Sequence, residues 1–244
     1  MRRTAAAALV AITAIGCGSN STNAMPPAPS GTIVSIAVNS SAPTLFLGAT
    51  ETFAAVATYT SGATQTLTGG AWTTDTPAVA LVDSVGRVTT VTNGEATISV
   101  DYLGMHASKQ VRVLPNYAGS WSGFYTIVSC TPTDGFAAKN LCDSFNIGQT
   151  RQYGLQLTQN ADVVSGITII GILGSTTASG TVNMDGSLTL TPPIFVGTVE
   201  IDLVWKLTCA QANAIGGTVT QTWTDLVTPG QMVIEGALQR PTKQ

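Results

Sequence analysis

The chain has 244 residues, of which 9% are charged and 6% aromatic, with a net charge of -3 at pH 7. So few Lys and Arg cannot neutralise many phosphates, which argues against nucleic-acid binding, and the scarcity of Lys and Glu argues against long surface helices. The length accommodates two ordinary domains, and a balance rich in Thr, Val and Gly suits short strands joined by tight turns, so an all-β protein is expected.

The chain opens with Arg2 and Arg3, then an apolar run from Ala5 to Ile15. That run is too short to span a bilayer but has the length of a signal peptide core. It ends in Ala14-Ile15-Gly16-Cys17, which resembles a bacterial lipoprotein lipobox. The small Gly16 fits the pattern, while Ala14 stands where the family more often has Leu. The resemblance implies a signal peptide over 1–16 and diacylglycerol on Cys17, which becomes the acylated N-terminus. At roughly 0.8 kcal/mol per buried methylene, three acyl chains would hold the chain to a membrane effectively permanently. Gly18 rather than Asp follows the cysteine, so the familiar inner-membrane retention signal is absent. The expected address is the cell envelope, at the outer membrane or cell surface. Residues 17–30 continue as "CGSNSTNAMPPAPS", a polar, proline-bearing tether.

Residues 31–115 alternate at period two, in Val34, Ile36 and Val38, in Phe53, Ala55, Ala57 and Tyr59, in Ile98, Val100 and Tyr102, and in Val111 and Val113. Such alternation, broken by turn residues every eight to twelve positions, predicts a sandwich of short strands. The turn at Gly48, Trp72, Val79-Ala80 with Val82-Asp83, Gly86 before Val88, and Gly94-x-Ala96-Thr97-Ile98 follow in an order that resembles the group 2 bacterial immunoglobulin-like (BIG2) domain. The family's members are mostly stalk or adhesion modules. Trp72 is expected in a central strand as the body over which two sheets close. Gly86 and Gly94 are expected at turns that need positive φ or close backbone approach, and Asp83 to cap its turn. His106, the single histidine, is expected at an exposed turn, with no local partner for a hydrolytic triad.

Of the remaining cysteines, Cys130 and Cys142 flank a turn-rich segment and form the expected disulfide, contributing about 2–3 kcal/mol by constraining the unfolded chain. Cys209 is then a buried thiol outside it, although pairings through Cys209 stay open on sequence alone. No histidine stands at metal-ligand spacing from these cysteines, and no metal site is expected.

Residues 116–244 read as eight strands, at 119–129, 151–159, 163–172, 178–184, 187–194, 197–208, 216–224 and 231–238. Asp185-Gly186 predicts a hairpin turn and Asn160-Ala161-Asp162 another. Eight antiparallel strands can remove their edges by closing into a barrel, and a second sandwich is the other solution. Gly119-x-Trp121 is similar to the start of lipocalins and related calycin barrels. On 199–208, Val199, Ile201, Leu203, Trp205 and Leu207 share the core face. Glu200 and Asp202 share the other, as a solvated pair rather than an acid-base or cation site. The run "VVSGITIIGIL" is apolar on both faces. A covering loop, docking on the neighbouring domain, or an apolar lumen would each account for it.

No Ser-His, Cys-His or HExxH constellation and no phosphate-cradling loop is present. The expectation is not an enzyme and requires no cofactor. It is a lipid-anchored envelope protein whose Ig-like stalk presents a β domain for binding, adhesion or spacing, with a protein or glycan as partner. The alternative is a lipocalin-like carrier of a small apolar ligand.

Overall fold

The computed structural model describes residues 29–211 and 214–243. The lipobox, Cys17 and nearly all of the tether lie outside the described residues. The fold is all-β: an Ig-like sandwich leads into a nearly closed antiparallel barrel.

The first ten strands are β1 (Ile33–Asn39), β2 (Thr44–Phe46), β3 (Thr50–Thr52), β4 (Ala54–Tyr59), β5 (Thr64–Thr66), β6 (Ala71–Thr74), β7 (Ala80–Val82), β8 (Arg87–Thr90), β9 (Gly94–Tyr102) and β10 (Met105–Leu114). They form sheets in the orders β1-β4-β5, β2-β10-β9-β6 and β3-β8-β7. Phe53, Ala55, Val88, Ile98, Val100, Val111 and Val113 fill the space between them. Period-two patterning thus places the core face as expected, with one exception. Val34 is exposed, because a register shift between Ile33 and Ser35 turns it outward before the alternation resumes at Ile36 and Val38.

Trp72 also departs from expectation. It sits on β6, the edge strand of its sheet, and is half-buried rather than central. Its ring rests on the turn at Gly86, whose missing side chain leaves room for it. Gly86 and Gly94 do hold positive φ, +80° and +141°. Asp83 caps its turn, Oδ1 accepting from the amides of Val85 at 3.0 Å and Arg87 at 2.9 Å. His106 is exposed but stands on β10 rather than in the turn, its Nδ1 2.9 Å from Asp101 across the hairpin.

The barrel consists of β11 (Gly119–Pro132), β12 (Thr150–Asn160), β13 (Val163–Ile170), β14 (Gly174–Thr181), β15 (Leu188–Leu190), β16 (Pro193–Val196), β17 (Val199–Gln211), β18 (Ala214–Asp225) and β19 (Gln231–Lys243). The order around the wall is β14-β13-β12-β11-β19-β18-β17-β15, with β16 also on β17. The expected strand 187–194 is two pieces, because Pro192 and Pro193 lack the amide hydrogens a continuous ladder needs. The barrel also has a seam. β14 meets β15 and β16 through the single bridge Val182–Leu188 and a 2.9 Å hydrogen bond from Thr176 Oγ1 to the carbonyl of Pro193.

The interior is filled by large side chains, among them Trp121, Trp205, Tyr153, Leu155 and Ile201. Ile201, Leu203, Trp205 and Leu207 are buried as their alternation predicts, and the two-residue turn at Ala161-Asp162 forms as expected. On β13 the inward face is Val164, Thr168 and Ile170, while Val163 and Ile167 are exposed, so the apolar outward face of this strand is left uncovered. The Asp185-Gly186 turn forms, Asn183 N–H donating to the carbonyl of Ser187 at 2.8 Å, but it carries no hairpin ladder. It lies instead against Asn93 and Pro115 of the sandwich.

The two cores are fused at this place. Leu114, the last residue of β10, and Phe46 pack into the barrel core. Tyr117 is fully buried, its hydroxyl donating to the carbonyl of Gly186 at 2.7 Å. Gln159 accepts from the Tyr117 amide at 2.7 Å, and Arg112 reaches Asp162 at 3.4 Å.

Candidate functional site

The strands that begin at the sandwich end in a mouth at the far end of the barrel. β12 spans 11 residues from the sandwich contact at Asn160 to Thr150, roughly 35 Å of strand at about 3.3 Å per residue. At that far end lies a cavity of about 320 Å³ lined by Tyr125, Phe145, Arg151, Leu173, Gln221 and Trp223 among others. This is near the lower end of the roughly 300–1,000 Å³ range of small-molecule sites.

Inward alternation builds it. Tyr125 on β11 faces Arg151 on β12 directly in the ladder, so both side chains stand on the inner face, as Tyr153, Leu155 and Leu157 do further along. β18 contributes Gln221 and Trp223 in the same way. The roof is the segment between β11 and β12, made of a short helix α1 (Asp134–Ala138) and a 3-10 turn at Leu141–Ser144. Phe136 of α1 is buried in the barrel core, and Phe145 meets Trp223 edge to face with centroids 5.5 Å apart. The disulfide Cys130–Cys142, with Cα atoms 5.8 Å apart, ties this roof to β11.

Gln221 is 1% exposed and yet satisfied within the site. Its Nε2 donates to the Tyr125 hydroxyl at 2.8 Å, and its Oε1 accepts from Trp223 Nε1 at 3.3 Å. The bond from Gln221 makes Tyr125 an acceptor, which leaves the Tyr125 proton to give. Burial pushes the Tyr125 phenol up, against the opposing effects of Gln221 and the Arg151 charge, so the group stays neutral. Arg151 donates from Nη2 to the Ser144 carbonyl at 2.9 Å and Gln149 Oε1 at 3.1 Å, and lies 5.6 Å over the Phe145 ring. Its Nε is buried with no protein partner, and among the described residues Arg151 makes no ion pair.

The rim is apolar. Phe195 and Val196, and Leu226 and Val227 of the β18–β19 loop, are all exposed, and the two segments join through Leu226 N–H and the Thr198 carbonyl at 2.9 Å. Asp225 holds that loop. The Val227 amide first, then the Thr228 hydroxyl and amide, pull its carboxyl down to about 2. Two grooves have larger volumes, about 430 and 590 Å³, but they are more open than the mouth.

The predicted residues fall elsewhere. Cys130 and Cys142 are bonded as expected and support the roof, and Cys209 is buried on β17. Glu200 and Asp202 point outward opposite Thr224 and Thr222. Among the described residues no three His, Cys, Asp or Glu side chains come together as a metal site would require. None of the mouth residues is singled out by sequence motif. The available signal was Arg151 at the end of an inward run with Tyr153, Leu155 and Leu157, a charge on a core face.

No family model and no curated protein matches the chain. Among solved structures, domains 5–6 of the S-layer protein SbsC are similar to it at 15% identity, covering 85% of this chain and 98% of that one with a TM-score of 0.30. A likeness of that degree says nothing of function.

Proposed function

We propose that this chain is a lipid-anchored envelope protein in which a BIG2-like stalk carries a barrel whose binding end faces away from the anchor. The lipobox resemblance at Cys17 supplies the anchor, and the polar stretch behind it the tether. One observation carries the binding role: the aromatic-walled cavity at the end of the barrel farthest from the sandwich. A small, largely apolar guest with a few polar atoms suits such a lining.

Native mass spectrometry of the chain purified from envelopes tests both parts. The expected species begins at an acylated Cys17 and releases a small molecule on collisional activation. Unmodified Cys17, with a Cys17→Ser variant retained in the envelope at full abundance, overturns the anchor. Absence of any bound molecule across preparations, with no uptake of small apolar probes, overturns the carrier role.

A second reading has its own observation. The exposed Phe195, Val196, Leu226 and Val227 form an apolar rim of the kind that docks on a protein partner. Under that reading Phe195→Ser with Val227→Ser abolishes adhesion or partner capture and leaves small-molecule uptake intact.

A further inference from the structure

The mouth contains more polarity than an apolar guest needs. Arg151 is a cation on the inward face with a buried, unpartnered Nε. Tyr125, directly opposite, holds a hydroxyl proton not spent in its bond to Gln221. The two donors line the same cavity, whose other walls are the Phe145 and Trp223 rings with Ile170 and Leu173. Asp143, on the roof's 3-10 turn, is exposed and forms no ion pair with Arg151 among the described residues. A buried donor without an acceptor is unfavourable, and in this cavity the Tyr125 hydroxyl proton and Arg151 Nε both lack one. A carboxylate answers both, because it accepts from a guanidinium and a phenol together through charge-assisted bonds. The rings require a flat body behind it, and the cavity's size favours a small aromatic acid over a long acyl chain.

We propose that the barrel mouth binds a small planar carboxylate, its acid group facing the Arg151 guanidinium and the Tyr125 hydroxyl and its ring against the wall that Phe145 and Trp223 form together. This rests on the carrier reading above and adds the charge of the guest.

Cinnamate and cinnamyl alcohol share a skeleton and differ in the acid. Each is titrated calorimetrically into the full chain in detergent, with micelles alone as blank. Cinnamate is expected to bind one site per chain at least about tenfold more tightly than the alcohol, the margin of a charge-assisted hydrogen bond. Arg151→Gln is expected to remove that margin, bringing the two probes to equal affinity, and Trp223→Leu to weaken both probes together. Arg151→Lys keeps the charge without Nε and gives an intermediate margin, which covers the case in which Arg151→Gln fails to fold. Equal affinity for the two probes, or a margin that survives Arg151→Gln, overturns the carboxylate assignment and leaves the carrier reading standing. Binding of neither probe, with no cargo by native mass spectrometry, overturns both.

Discussion

Gly86 shows how much one missing side chain fixes. At φ +80° a Cβ would stand 2.6 Å from the Phe53 carbonyl oxygen and 2.9 Å from the Trp72 ring. Gly86→Ala is therefore expected to lower stability by about 2 kcal/mol or more, read from urea unfolding, because backbone strain and a clash with backbone add. Val34→Thr, on the same module's outward bulge, should stay within about 0.5 kcal/mol. Tyr153 poses the opposite case. Its ring lies 5.2 Å from that of Trp205 and its hydroxyl is buried with no protein partner. Removing that hydroxyl as Tyr153→Phe should leave stability unchanged or raise it by up to about 1 kcal/mol in the same measurement. A loss larger than that would mean the hydroxyl is satisfied by something bound inside the barrel.

At the scale of the element, the roof over the mouth depends on one covalent tie. The Cys130–Cys142 link closes a short loop, with a sequence separation of 12. The double variant Cys130→Ser with Cys142→Ser should cost about 2–3 kcal/mol by differential scanning calorimetry. It should also weaken uptake at the mouth, because Phe145 follows Cys142 closely in the chain. The pairing was legible in part: two cysteines flanking a turn-rich segment favoured it, while Cys209 left other pairings open until the structure joined Cys130 to Cys142. The strands were legible for a similar reason: Ile201, Leu203, Trp205 and Leu207 repeat at the pleat period and are buried. Three features were not. The bulge at Val34 is a one-residue irregularity that alternation alone does not announce. The edge position of Trp72 depends on which strand pairs with β9, a non-local fact. The mouth was missed because Tyr125, Arg151 and Gln221 are far apart in the chain, and only the closing of β11, β12 and β18 around one axis brings them together.

For the whole molecule, the decisive feature is that sandwich and barrel do not meet through a free linker. Leu114 ends a sandwich strand, is 1% exposed, and packs among barrel residues. Leu114→Ala should destabilise the barrel by about 3 kcal/mol although it lies outside it. Wild type should unfold in one calorimetric transition, and two well-separated transitions would refute the coupling. A stiff junction holds the mouth in a fixed direction relative to the sandwich. The seam between β14 and β15 has a different consequence. A hoop with one unriveted stave changes its girth there first, and the amides of 174–181 on that side should trade deuterium before those of any other wall strand. A guest too wide for the resting pocket gains room by parting this join, at the expense of a few weak contacts rather than a row of amide bonds.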